Sequence, residues 1–369
     1  MTIPYRPALT GLEPYGAPQL DVPVALNVNE NPYAPSPALI ADIAKAVSEA
    51  AATLNRYPDR EFMGLREDLA DYLAVESGVR LSPEQVWAAN GSNEVMLHLL
   101  LAFAGPGRTV MSFSPTYSMY HEYARDTDST WVAAPRLENF ALDLDRIESA
   151  FDEHRPAIIL LASPNNPTGT ALTEQELRTV LEASKGRGPR DAEGADCLVV
   201  VDEAYGEFRR DGVPSALKLL ADYDNLVVSR TMSKAFGAAG LRLGYFGAST
   251  EIVDQVRIVR LPYHLSAITQ AAARAALDHA EEQLAQVETI REGRDAMAER
   301  LTSLGLDVAP SDANFVMFGT FPDRHRIFTE LLDRGVLIRE VGPVGWLRVS
   351  VGTPEENETF FAALEEVLA

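Results

Sequence analysis

The residues best able to do chemistry lie in four short polar runs: PNNPTG at 164–169, DEAY at 202–205, SRTMSKAFG at 229–237 and GLRLGY at 240–245. Lys234 follows the apolar run NLVVS (225–229). A lysine that is reachable and partly desolvated has an amine able to act as nucleophile and proton carrier, whereas a solvated surface lysine does neither. Asp202 ends CLVVV (197–201). A carboxylate there is costly unless it meets a cation, although it could also cap the following turn. Gly91, Ser92 and Asn93 stand between the run VWAAN (86–90) and an apolar helical pattern. Backbone N–H groups and the helix dipole make such a place an anion site; the same residues also suit an ordinary helix start. Arg242 offers a planar two-donor fork. Arg348 sits centrally in the strand-like WLRVSVG (346–352), where an unpaired charge is expensive.

These motifs need a scaffold that delivers them to one place. Short apolar, β-branched runs recur at 86–90, 109–113, 157–162, 197–201, 225–229 and 243–247, and most are followed by a polar loop and a helical pattern. That rhythm predicts an α/β fold with a mostly parallel sheet covered by helices on both faces. Ligands of such sheets sit beyond the carboxyl ends of the strands, where nearly all the polar motifs fall. Residues 1–30 are Pro-rich and read as an N-terminal arm, with the extended character lasting to about 37. The expected division is a large domain over 53–269 and a smaller α+β domain from 31–52 and 270–369. One long helix is expected from about Thr269 to Leu304, crossing between them. The Gly-rich, charged stretch Lys185–Asp196 reads as a surface insertion.

Composition narrows the class. The 369 residues carry 32 Lys+Arg against 54 Asp+Glu, a net charge of −22. That excess argues against nucleic acid or an anionic membrane as partner, while leaving room for anionic substrates met by a few local arginines. A single cysteine, Cys197, excludes an internal disulfide and fits a reducing, cytoplasmic location. No apolar run approaches the ~20 residues of a membrane helix, and the first 25 residues do not resemble a signal peptide. The six histidines show no metal spacing, so no metal is expected. Neither the GxGxxG nor the phosphate-loop lysine pattern is present.

The ordered set of motifs resembles the aspartate-aminotransferase-like superfamily of pyridoxal-phosphate enzymes (fold type I) and, more closely, the histidinol-phosphate aminotransferase family. The likeness runs from PYGAPQL (14–20) and NENP (29–32) to LRVSVG (347–352) and PEEN (354–357). It implies a homodimer that transfers the amino group of L-histidinol phosphate to 2-oxoglutarate in histidine biosynthesis. Within the same fold, an aromatic amino-acid aminotransferase is the alternative. Carried over residue by residue, Lys234 resembles the lysine that binds the cofactor, and Asp202 the carboxylate that meets its pyridine nitrogen. Tyr205 and Asn166 resemble the pair on the ring hydroxyl, and Tyr117 the aromatic lying against the ring. Gly91, Ser92, Asn93, Thr231, Ser233 and Arg242 correspond to the phosphate cup. Tyr57, in NRYPD, resembles a tyrosine that reaches the phosphate in the neighbouring subunit's site. Substrate contacts are expected from Tyr15, Asn93, Tyr117, Tyr263, Arg339 and Arg348, with Arg348 on the carboxylate and Arg339 on the substrate phosphate. Glu203 points away from Asp202 and His264 is structural in this reading.

Overall fold

The computed structural model describes residues 3–369. After an irregular arm come β1 (Val24–Ala25), α1 (Pro37–Ala51), α2 (Met63–Ser77), β2 (Val86–Ala89), α3 (Ser92–Phe103) and β3 (Thr109–Ser114). They are followed by α4 (Met119–Asp126), β4 (Thr130–Pro135), α5 (Ile147–His154), β5 (Ile158–Ala162), α6 (Glu174–Ser184) and β6 (Leu198–Asp202). The remaining large-sheet elements are β7 (Leu226–Thr231), β8 (Gly244–Ala248) and α7 (Thr250–Val259). The C-terminal third holds α8 (Ala267–Leu277), α9 (Ala280–Ser303), β9 (Asp307–Val308), β10 (Phe315–Gly319), α10 (Arg324–Asp333), β11 (Val336–Leu337), β12 (Leu347–Ser350) and α11 (Pro354–Leu368).

Seven strands form the main sheet in the order β2-β8-β7-β6-β5-β3-β4. The pairs β4–β3, β3–β5, β5–β6 and β6–β7 are parallel, while β8 is antiparallel to both β7 and β2. The central strands are buried along their whole length, which is why their sequences read as unbroken apolar runs. The antiparallel β8 has a consequence for the site. β8 starts, rather than ends, at the carboxyl edge of its neighbours, so Arg242 just before it joins Asp202 and Thr231 at that edge. β2 runs the same way as β7 and brings Gly91–Asn93 there too. The edge strand β4 was not expected; it mixes half-buried and exposed residues, and its short apolar stretch Trp131–Ala134 runs straight into Pro135.

In the C-terminal third, β10 lies between β9 and β12 in an antiparallel sheet. The arm is not free-standing, because β1 pairs in parallel with β11. One expectation fails here. The helix expected from Thr269 to Leu304 is two helices, broken at Asp278 and His279. No glycine or proline lies at the break; the His279 ring bonds Asp42 of α1 and Glu282 of α9, so tertiary contacts fix it.

Candidate active site

A cavity of about 380 Å³ opens at the carboxyl edge of the sheet, against the arm and β12. It is lined by Tyr15, Ser92, Asn93, Tyr117, Asn166, Asp202, Tyr205, Thr231, Ser233, Lys234, Arg242, Arg339 and Arg348. Gly91 lies just behind the wall. Its φ is +83°, and a Cβ there would come within 2.6 Å of Arg242 Nη2, so only glycine lets the guanidinium pack on the loop. α3 starts at Ser92, and a helix leaves its first N–H groups without intrahelical acceptors. Thr231 and Ser233, joined through their hydroxyls at 3.0 Å, complete a cup of donors around the fork of Arg242. An oxyanion of phosphate type fits this cup.

Across the cavity floor, Asp202 is 6% exposed and hydrogen-bonded at both oxygens, with acceptor capacity left on Oδ2. Tyr120 donates to Oδ2 at 2.9 Å, while Ser229 Oγ and the Ala204 N–H donate to Oδ1 at 3.1 and 3.2 Å. Burial raises the carboxyl's pKa, and the bonds from Tyr120, Ser229 and Ala204 oppose that rise. A buried carboxylate with donors but no cationic partner suits a positively charged ring nitrogen. Tyr120 was not singled out from the sequence, although it lies in the run SPTYSMY. Its role depends on α4 coming to the end of β6, a contact across 82 positions that no local pattern reveals.

Lys234 Nζ donates to the Val28 carbonyl at 2.9 Å. Burial lowers its pKa to about 8, with further lowering from the Arg348 and Arg242 charges against an opposing influence from Glu30. The neutral form that a nucleophile requires is therefore far more populated near physiological pH than in a solvated lysine. Tyr205 Oη receives Asn29 Nδ2 at 2.9 Å and Asn166 Nδ2 at 3.4 Å. The run Asn27–Asn29 thus touches three site groups, since the Asn27 carbonyl accepts from Arg348 Nη2 at 2.8 Å. The contacts made by Asn29 were not foreseen, though it opens the NENP motif.

Arg348 and Arg339 are cross-strand partners, bonded backbone to backbone at 2.9 Å in both directions. Directly opposed residues of an antiparallel pair face the same side, so both guanidiniums enter the cavity together. Neither forms an ion pair with a carboxylate among the described residues. Arg348 bonds only neutral oxygens, Asn166 Oδ1 and the Asn27 carbonyl, and its Nε has no partner. Burial first and then Arg339 lower its pKa to about 10. Two like charges held side by side are costly on their own and favourable around an anion.

Two expected residues are not in this cavity. Tyr57 is 80% exposed and Tyr263 is 39% exposed, and their rings stack at 4.5 Å on the outer surface. Glu203 faces the other side of the sheet, where it accepts from Arg230 Nε at 2.9 Å and Ser215 Oγ at 2.7 Å. Arg230 also meets Glu207 and Glu76 there, so this buried cluster ties β6, β7 and α2 behind the site. His264 bonds the Ala88 carbonyl at 2.9 Å and stacks on Trp87, a structural place beside the anion cup. No group of three or more metal-ligating side chains occurs among the described residues, and no helix there is long and apolar enough to cross a membrane.

The family described as aminotransferase class I and II matches residues 22–364. The chain is similar to the histidinol-phosphate aminotransferase of Bifidobacterium adolescentis, at 58% identity over 99% of this chain and 95% of that protein. The histidinol-phosphate aminotransferase of Thermobifida fusca is 54% identical over 98% of this chain and 95% of its own length. Among solved structures, histidinol-phosphate aminotransferase from Sinorhizobium meliloti in complex with pyridoxal-5'-phosphate superposes with a TM-score of 0.85. It has 24% identity and covers 99% of this chain and 97% of that one. An aspartate aminotransferase variant from Thermus thermophilus gives a TM-score of 0.80 at 26% identity, with 99% of both chains covered.

Proposed function

Since the chain belongs to the class I and II aminotransferase family, we propose that it carries out pyridoxal-phosphate-dependent transfer of the amino group of L-histidinol phosphate to 2-oxoglutarate. The products are imidazole-acetol phosphate and glutamate, and the reaction belongs to histidine biosynthesis. The observation that carries the substrate assignment is the Arg339–Arg348 pair. Two guanidiniums without carboxylate partners fit a dianionic phosphate in one half-reaction and a dicarboxylate in the other.

The cavity fits pyridoxal phosphate by the chemistry of its donors. The cup of Ser92, Asn93, Thr231, Ser233 and Arg242 would hold its phosphate, Asp202 its ring nitrogen, and Asn166 and Tyr205 its ring hydroxyl. Tyr117 would lie against the ring. Bound there, the cofactor supplies a carbonyl carbon for the amine and an electron-withdrawing ring that stabilises negative charge at the substrate carbon. The chain's residues do the rest. Asp202 keeps a cation on the ring nitrogen by offering a desolvated, hydrogen-bonded negative charge. Lys234 Nζ would carry the proton between the substrate carbon and the cofactor's former carbonyl carbon, a role that its lowered pKa suits. Arg339 and Arg348 orient the substrate anion, and Tyr15, tied to Ser118 at 2.7 Å, closes the mouth over the cavity.

The protein acts as a cytoplasmic homodimer in this reading, with Tyr57 reaching the phosphate cup of the other subunit and Tyr263 beside it. Their exposure on the outer surface supports this role. The arm over 1–30, the large domain over 53–269 and the smaller domain from 31–52 and 270–369 are the units we assign to it. The deciding experiment is a paired assay of histidinol phosphate and phenylalanine, each with 2-oxoglutarate, on the parent and on Arg339→Ala. Truncating a charged contact costs about 2–4 kcal/mol, so kcat/KM for histidinol phosphate should fall by about 30- to 1000-fold and that for phenylalanine much less. Equal losses on both substrates would remove phosphate recognition from Arg339.

A further inference from the structure

We propose that Asn29 is a positioning residue that aims the hydroxyl proton of Tyr205 into the cavity. The inference rests on the reading that Tyr205 serves the ring hydroxyl of the bound cofactor. Asn29 is 1% exposed and has φ of +56°, a left-handed backbone that asparagine adopts more readily than most residues. Four bonds fix it: its N–H donates to Ser350 Oγ at 2.9 Å, Ser350 Oγ donates to its Oδ1 at 3.0 Å, Asn314 Nδ2 donates to its carbonyl at 3.0 Å, and its own Nδ2 donates to Tyr205 Oη at 2.9 Å.

The direction of these bonds is the point. With Oδ1 occupied by Ser350, the amide of Asn29 presents N–H to Tyr205. Asn166 does the same from the other side, because Arg348 has only donors and takes its Oδ1 at 2.6 Å. A phenolic oxygen has two lone pairs and one proton. With both lone pairs facing amide donors, the O–H of Tyr205 is left to point at the cavity, where it would meet the ring hydroxyl oxygen of the cofactor. Ser350 and Arg348 lie on the same strand, β12, so that strand orients both amides. Burial raises the pKa of Tyr205, while the bond from Asn29 opposes the rise.

Asn29→Asp keeps the shape and the backbone preference but reverses the bond, because a carboxylate accepts the Tyr205 proton instead of donating to its oxygen. Without a donor, the ionised ring oxygen is less stable, and the pH midpoint of the bound cofactor's visible absorbance moves up. Ser350→Ala frees the amide without adding charge and carries the same test if Asn29→Asp does not fold. We expect both variants to raise the midpoint in the direction of Tyr205→Phe, and cofactor retention to weaken by roughly 3- to 10-fold, the worth of one neutral hydrogen bond. Neither should shift the midpoint further when combined with Tyr205→Phe. A shift that persists in the Tyr205→Phe background would show a general effect of charge or packing and overturn the proposal, as would unchanged midpoints in both single variants. If Tyr205→Phe alone moves nothing, the role of Tyr205 itself falls and this inference with it; if only the Asn29 and Ser350 variants are silent, the aminotransferase reading stands.

Discussion

Single side chains here act through what burial does to their charge. Asp202 is ionisable in a place where burial opposes ionisation, and only a nearby cation makes its negative charge worth keeping. Asp202→Asn should therefore leave far-ultraviolet circular dichroism unchanged while cutting turnover severely. Cofactor retention should weaken too, by about 1.5–3 kcal/mol, the size of a charged hydrogen bond. Parental turnover in that variant would reduce Asp202 to a turn cap. Lys234 works in the opposite sense, since burial favours its neutral form. The rate at which pyridoxal phosphate attaches covalently to the cofactor-free protein should rise with pH and level off above about 8, rather than climb towards 10.5 as for a solvated lysine. Stopped-flow absorbance at a series of pH values measures this midpoint, and one near 10 would contradict the desolvated amine.

Elements were readable where one local signal sufficed, and unreadable where a distant neighbour decided. The apolar strands announced themselves, and Asp202, Thr231 and the loop before α3 all fell at the sheet edge expected of them, whereas β8 reaches that edge with its start. β4 was missed because its short apolar stretch, Trp131–Ala134, runs straight into Pro135, a residue that argues against a strand. The break between α8 and α9 was silent because a histidine clasped by Asp42 makes it, with no helix-breaking residue in the sequence. Tyr120 and Asn29 escaped as donors to site residues for the same reason, each reaching a partner more than 80 positions away. The turn from β2 into α3 gives the clearest test at this scale. Gly91→Ala combines a left-handed φ with a methyl pressed on Arg242, so the cup should open and pyridoxal phosphate should dissociate more readily. Equilibrium dialysis against the parent checks it, and equal retention would mean that Arg242 is free to move aside.

At the scale of the whole molecule, the proposed dimer places Tyr57 in a site it does not share a chain with. Lys234→Ala and Tyr57→Ala chains, each weak alone, should regain activity when mixed and refolded, because one site per mixed dimer recovers both residues. No gain on mixing would confine each site to one chain. The run Asn27–Asn29 and the strand that clasps it also bear on how the protein is made. Asn29 and Ser350 meet across 321 positions of sequence, as do Asn27 and Arg348. A growing chain can assemble all seven strands of the main sheet, with Lys234 and the phosphate cup in place, and still lack the partner that seats Asn27–Asn29. Ribosome-bound chains stalled before residue 347 should therefore exchange pyridoxal phosphate freely, and those extended past 350 and clear of the exit tunnel should retain it. The vitamin-derived ligand is in this sense the last component fitted, locked in by the final strand to be translated.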